Sequence, residues 1–210
     1  MWRECLALAD LARQIVGDGH GGLILIVPGE TGSWSESISP FPYRFATPDT
    51  TIRDLIRKDL NDGVARGQVL QRLVDTSMPD DLKNLTMGAL AINWGGMDRG
   101  VRGAASLAAV DGAIVVTRDL EVLGFGGKIA VGNGIVPKVC LFRAEPGKQE
   151  VIPSPLEDLG GTRHQSAARF VAANRESVAL VVSQDRHVSV AHWDTSLECV
   201  SVLRNAEWWV

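Results

Sequence analysis

Hydrophobic positions along this chain change their period several times, and each change marks an element. Leu6, Leu8, Leu11, Ile15 and Val16 recur at helical spacing, and Gly17-Asp18-Gly19 ends that pattern. Gly21 to Val27 is a continuous apolar run, which predicts a strand buried on both faces. From Pro28 to Pro48 the composition turns to Gly, Ser, Thr, Pro and aromatic residues, predicting a long loop of the functional or mobile kind. Thr50 or Thr51 caps a predicted helix in which Ile52, Leu55, Ile56, Leu60, Val64, Val69, Leu70 and Leu73 share one stripe, with Gly63 or Gly67 as a break. Asp80-Asp81 opens a second helix with Leu82, Leu85, Leu90 and Ile92, and Gly95 to Gly100 reads as a turn.

Beyond residue 100 the pattern shortens. Ala108 to Thr117, Leu120 to Val131, Lys138 to Arg143 and Glu150 to Ile152 read as strands. A helix from Arg163 to about Asn174 follows, then strands at Val178 to Val182, His187 to His192 and Glu198 to Leu203. This succession predicts a mixed α/β fold, with a central mixed β-sheet flanked by helices. Without internal repeats or a low-complexity linker, residues 1–210 read as one domain. Residues 28–95 are its loop and helical elaboration, and 96–205 its core.

Composition narrows the function. A chain of 210 residues with 45% hydrophobic content can bury one full core. A net charge of −4 argues against coating a nucleic-acid duplex, so any phosphate site must be local. Cys5, Cys140 and Cys199 are widely spaced and form no Cys-x-x-Cys pair, which suits reduced packing residues better than metal ligands. No signal peptide and no apolar run of membrane-spanning length is visible, so a cytoplasmic location is expected. The opening almost inside a helix and the Trp208-Trp209-Val210 ending suggest one piece of a longer protein.

Two segments carry candidate chemistry. Gly161-Thr162-Arg163-His164 places a glycine, a hydroxyl and two cationic side chains where a helix begins. Outward N–H groups, the helix dipole and these side chains together suit an anion. The bland alternative makes Thr162 an N-cap and His164 a surface residue, but acids rather than Arg and His are usual at the positive end of a helix. Asp111-Gly112-Ala113 interrupts an apolar run with a carboxylate that is costly to bury without a cation or donors. Asp-Gly is equally the signature of a tight turn, and that reading stays open. Ser183 ends an apolar strand where ligand-facing groups are found, although Gln184-Asp185 suits a hairpin turn as well. His187 and His192, five apart on a predicted strand, face opposite sides and both read as surface residues. Gly124-Phe125-Gly126-Gly127-Lys128 lacks phosphate-loop spacing and reads as a bend in a β ribbon, and Trp34 reads as a packing residue.

Taken in order, Val110-Asp111-Gly112-Ala113-Ile114-Val115-Val116, Gly161 to Ala168, and Leu180-Val181-Val182-Ser183-Gln184-Asp185 resemble the diadenylate cyclase (DAC) domain family. That family carries Asp-Gly-Ala, then Gly-Thr-Arg-His-Arg opening a helix, then an apolar strand ending in Val-Ser-Glu-Glu. The likeness covers about Ala109 to Trp193, with Gly21 to Val27 suiting the family's first core strand. It implies a DAC-like fold and a cytoplasmic bacterial nucleotidyltransferase of second-messenger signalling, which joins two ATP into cyclic di-AMP across a homodimer. It also implies Mg²⁺ or Mn²⁺ on Asp111, with Asp111, Arg163 and His164 catalytic. Gly112, Ala113, Gly161, Thr162, Arg163, His164 and Ser183 would bind nucleotide, and neither a nucleic acid nor a membrane is an expected partner.

Three departures stand beside the likeness. Gln165 replaces the second Arg of the Arg-His-Arg triplet, Gln184-Asp185 replaces the Glu-Glu pair, and Val110 stands where some members have a metal-binding His. They leave a second expectation: a non-catalytic sensor of nucleotides or cyclic dinucleotides on the same scaffold. A purely structural interaction domain is the third.

Overall fold

The computed structural model describes residues 2–58, 61, 95–132, 134–135, 137–145 and 148–206. The predicted helical stripe from Leu60 to Leu73 and the helix from Asp80-Asp81 lie outside the described residues.

The strand predicted from the first apolar run, β1 (Gly22–Val27), is near the middle of a nine-stranded sheet ordered β2-β4-β3-β1-β7-β8-β9-β5-β6. Its members are β2 (Tyr43–Asp49), β3 (Ala113–Thr117), β4 (Val122–Gly127), β5 (Val139–Glu145), β6 (Lys148–Ser154), β7 (Val178–Val182), β8 (Val188–Asp194) and β9 (Cys199–Leu203). β1 runs parallel to β3, with Leu23 opposite Ala113, and antiparallel to β7, with Gly22 opposite Val182. β5 is parallel to β9, and the remaining pairs are antiparallel. The sheet is therefore mixed.

Alternation along β1 explains its unbroken hydrophobicity. Leu23, Leu25 and Val27 enter one core, and Ile24 and Ile26 enter the other. The first core is closed by α3 (Thr162–Ala173), through Ala167, Ala168, Phe170 and Val171, and by Trp34. The second is closed by α1 (Trp2–Asp18), through Ala7, Leu11, Ala12 and Ile15, and by α2 (Gly95–Ser106), through Val101, Ala104 and Ala105. A short helix over 51–58 adds Ile52 and Ile56. Each fully buried aliphatic or aromatic side chain stabilises the fold by roughly 1.5–3 kcal/mol relative to exposure. Helices thus cover both faces of one mixed sheet, the predicted mixed α/β arrangement.

Several boundaries differ from the sequence expectation. Pro28 to Pro48 is not one loop: Ser33–Ser37 is a 3₁₀ turn and β2 pairs with β4. β2 is an edge strand whose side chains are mostly exposed, so it shows no apolar run; Tyr43 stacks on Phe125 at 4.7 Å between centroids. Gly95 to Gly100 opens α2 rather than turning, because Val101, Ala104 and Ala105 supply a buried helical face immediately afterwards. Leu107–Ala109 is a 3₁₀ turn, and β3 begins only at Ala113, after the Asp111-Gly112 step. β6 extends through Pro153, which an edge strand tolerates because it lacks a second neighbour. His187 precedes β8 in a turn. Cys140 and Cys199 are buried in adjacent strands, and burial with the neighbouring Cys140 thiol pushes Cys199 up to about 12; Cys5 is exposed.

Candidate functional site

Strand direction brings distant residues to one edge of the sheet. β1 and β3 begin there, β7 and β9 end there, and β8 starts there. A cavity of about 620 Å³ opens at this edge, lined by Asp111, Gly161 to His164, Ser183 to Asp185, His187, Arg204 and Asn205, among others. Of the predicted site residues, Asp111, Gly161, Thr162, Arg163, His164 and Ser183 are on its wall.

The opening of α3 is built as an anion site would be. Gly161 is the N-cap with no side-chain cap bond, and the first turn holds no acid. Hydrophobic anchoring of α3 by Ala167, Ala168, Phe170 and Val171 holds that positive end against the sheet edge. Arg163 crosses in front of Gly21. A Cβ on Gly21 would lie 3.1 Å from Arg163 Nη1 and 2.9 Å from the Val182 carbonyl oxygen, and its φ of +65° favours glycine. Gly21 therefore makes the bed in which the guanidinium lies.

His164 is half-buried behind this turn. Burial pulls its pKa below the ordinary imidazole value, and the Arg204 guanidinium adds to the effect. Gln165 is not on the cavity wall; its side-chain amide donates to the carbonyl of the wall residue Gly160 at 3.1 Å. Ser183 heads the β7–β8 hairpin, its N–H donating to the His187 carbonyl at 2.8 Å and its Oγ accepting from the His187 N–H at 3.1 Å. Gln184 and Asp185 are both the polar turn and part of the cavity wall.

Asp111 is not buried. Its side chain is 85% exposed and is paired with Lys128, which chiefly holds the carboxyl below the usual range, with a smaller pull from Arg163. Exposure removes the burial cost that the apolar run suggested. Gly112 and Ala113 are beside the cavity rather than on its wall. Ala113 is in the core, and a Cβ on Gly112 would meet the Gly126 backbone at 2.5 Å, with φ at +131°. The glycine that the Asp-Gly step supplies admits the neighbouring strand.

Sequence reasoning passed over Gly21, Lys128, His187, Arg204 and Asn205 as site residues. Gly21 carried a signal in the glycine pair ahead of an apolar strand, Lys128 and His187 were read as a ribbon bend and a surface residue, and Arg204 and Asn205 carried none. Trp34 is 2% exposed and packs in the core, as a packing residue would. His192 is exposed, away from the cavity. Among the described residues no helix is long and apolar enough to cross a membrane. No protein-family model and no curated protein matches this chain.

Proposed function

We propose that this chain is a diadenylate cyclase, a metal-dependent nucleotidyltransferase joining two ATP into cyclic di-AMP with release of two pyrophosphates. The observation that carries the reading is the meeting of Asp111, the Thr162-Arg163-His164 turn and Ser183 on one cavity wall of about 620 Å³. That volume is within the range of small-molecule sites. The residues come from segments far apart in sequence, and their order along the chain is the one the family uses.

In this reading Thr162, Arg163, His164 and the N–H groups following Gly161 hold the phosphates, and Ser183 contacts the nucleotide. Gly112 and Ala113 flank the site, Gly112 by admitting the Gly126 backbone close to Asp111. Each 3′-hydroxyl attacks the α-phosphate of the other nucleotide, its proton lost and pyrophosphate leaving. One such nucleotide site per chain then requires a face-to-face homodimer. Catalysis is mostly orientation and neutralisation of developing charge.

The donor set suits an ion shared with substrate. No group of three His, Cys, Asp or Glu able to hold a metal occurs among the described residues. Mg²⁺ is commonly held by one or two carboxylates and substrate phosphates, so Asp111 fits Mg²⁺ or Mn²⁺ arriving with the nucleotide. Bound there, the ion would supply Lewis-acid charge at the α-phosphate.

The test is incubation of the purified chain with ATP and Mn²⁺ or Mg²⁺, products being resolved by chromatography and mass spectrometry. Cyclic di-AMP from the wild type is expected, with a loss of at least about a hundredfold in Asp111→Asn. A second reading, a non-catalytic nucleotide or cyclic-dinucleotide sensor, is favoured by two observations: Gln165 turns back onto Gly160, and Lys128 already occupies Asp111. Nucleotide-dependent thermal stabilisation without turnover would select it. Neither product nor stabilisation would leave the structural interaction domain.

A further inference from the structure

We propose that Lys128 is the resident counter-cation of Asp111. Its ammonium competes with divalent metal for the carboxylate, so that the ion enters well only in company with a nucleotide. This inference rests on the reading of Asp111 as the metal-facing carboxylate of the site.

The pairing follows from the backbone. β3 and β4 are in register at Ala113 and Gly127, and Gly112 is pressed against Gly126. Lys128 directly follows the last residue of β4, and Asp111 stands two residues ahead of the first residue of β3, so both chain ends leave the sheet at the same place. Lys128 is then clamped from its other side. Its N–H donates to the Pro40 carbonyl at 3.0 Å, and its carbonyl accepts from the Ser39 N–H at 2.8 Å. A bridge between Ile38 and Ile129, and a bond from the Ala130 N–H to the Ser37 carbonyl at 2.9 Å, continue the clamp. The segment 37–40, which the sequence places in a long loop, thus holds a lysine at the candidate metal carboxylate.

Strength matters as much as position. The Lys128 side chain is 44% exposed and that of Asp111 85%, so water screens the pair and its net worth is modest. A doubly charged ion backed by phosphates can displace the ammonium. A lone ion facing one carboxylate already neutralised gains much less. Once displaced, the ammonium is released as a donor that a phosphate can take. Metal and nucleotide consequently assist one another, and by linkage each tightens the other by the same factor.

The experiment is Mn²⁺ titration without nucleotide, following the spin-resonance signal of free Mn²⁺, on wild type, K128M, K128Q, K128R, D111N and the K128M/D111N pair. K128M and K128Q should bind Mn²⁺ roughly tenfold more tightly than wild type, because a contact cation has been removed. K128R should resemble wild type, and D111N should abolish the gain in the double variant. Equal Mn²⁺ affinity in wild type, K128M and K128Q, strong or weak, would overturn the proposal, as would a gain that persists in K128M/D111N. K128Q covers the case in which K128M does not fold, as judged by melting. The cyclase assay is read separately. Lys128-dependent Mn²⁺ binding without cyclic product removes the enzyme reading alone, whereas an active cyclase with equal Mn²⁺ affinities removes this one alone.

Discussion

His164 joins stability and ligand binding through one proton. Its pKa in the folded chain is lowered by burial first and by Arg204 second. The unfolded chain therefore takes up the proton at higher pH than the folded one. The contribution to stability is fully present above the unfolded value of about 6.5, and declines as pH falls from there toward the lower folded value. A bound anion acts in the opposite sense, raising the pKa by favouring imidazolium. Sulfate, which does not titrate in this range, should bind more tightly as pH falls from about 8 to about 5.5, with uptake of a proton. Calorimetry in buffers of different ionisation enthalpy checks this. His164→Gln should flatten the pH dependence while leaving weaker binding through Arg163.

The helix α3 trades stability for an open end. Gly161 makes no side-chain cap, and the first turn holds Arg163 and His164 instead of acids. A side chain at 161 has room, since nothing is within 4 Å of an added Cβ. Gly161→Asp should stabilise the fold by a few tenths to about 1 kcal/mol through a cap bond and the dipole. The same carboxylate should weaken sulfate or nucleotide binding by at least about tenfold, since it occupies the N–H groups an anion would use. Chemical denaturation and calorimetry read the two effects. A stabilised protein with unchanged anion affinity would show that the turn does not hold the ligand.

Legibility in the sequence also varies by element. β1 and α3 were readable because a doubly buried strand and a packed helix leave strong hydrophobic patterns. β2 was not, since an edge strand buries little and its partner is nearly eighty residues away. Arg163 was readable because a cation at a helix start is anomalous. Its bed on Gly21 was not, since that contact depends on how β1 and β7 lie beside α3. Lys128 was read only as the end of a glycine-rich bend without phosphate-loop spacing, and Arg204 gave no signal, because a single cation looks like any surface residue until the register is known.

At the scale of the whole molecule, one sheet separates two cores, and α3 belongs to only one of them. Phe170 is fully buried in that core. Phe170→Ala should cost roughly 3–5 kcal/mol of stability by denaturant unfolding, the usual penalty for an aromatic cavity. Phe170→Leu, milder, should keep the fold while loosening the seat of α3, so anion affinity should fall although the changed side chain is buried away from the cavity.

The place of β1 between β3 and β7 gives the site a fixed yardstick. Asp111 leads into β3 and Ser183 follows β7, so two strand spacings separate their backbones, close to 10 Å. Sheet hydrogen bonding sets that interval, and side-chain adjustment cannot shorten it much. A lone phosphate or sulfate is too small to span it and can engage only the α3 side. The molecule that reaches both ends must carry an elongated body beyond its anion, as a nucleoside with its first phosphate does. Ligands of graded length should therefore gain affinity in a step when they first bridge the two strands, rather than in proportion to their charge.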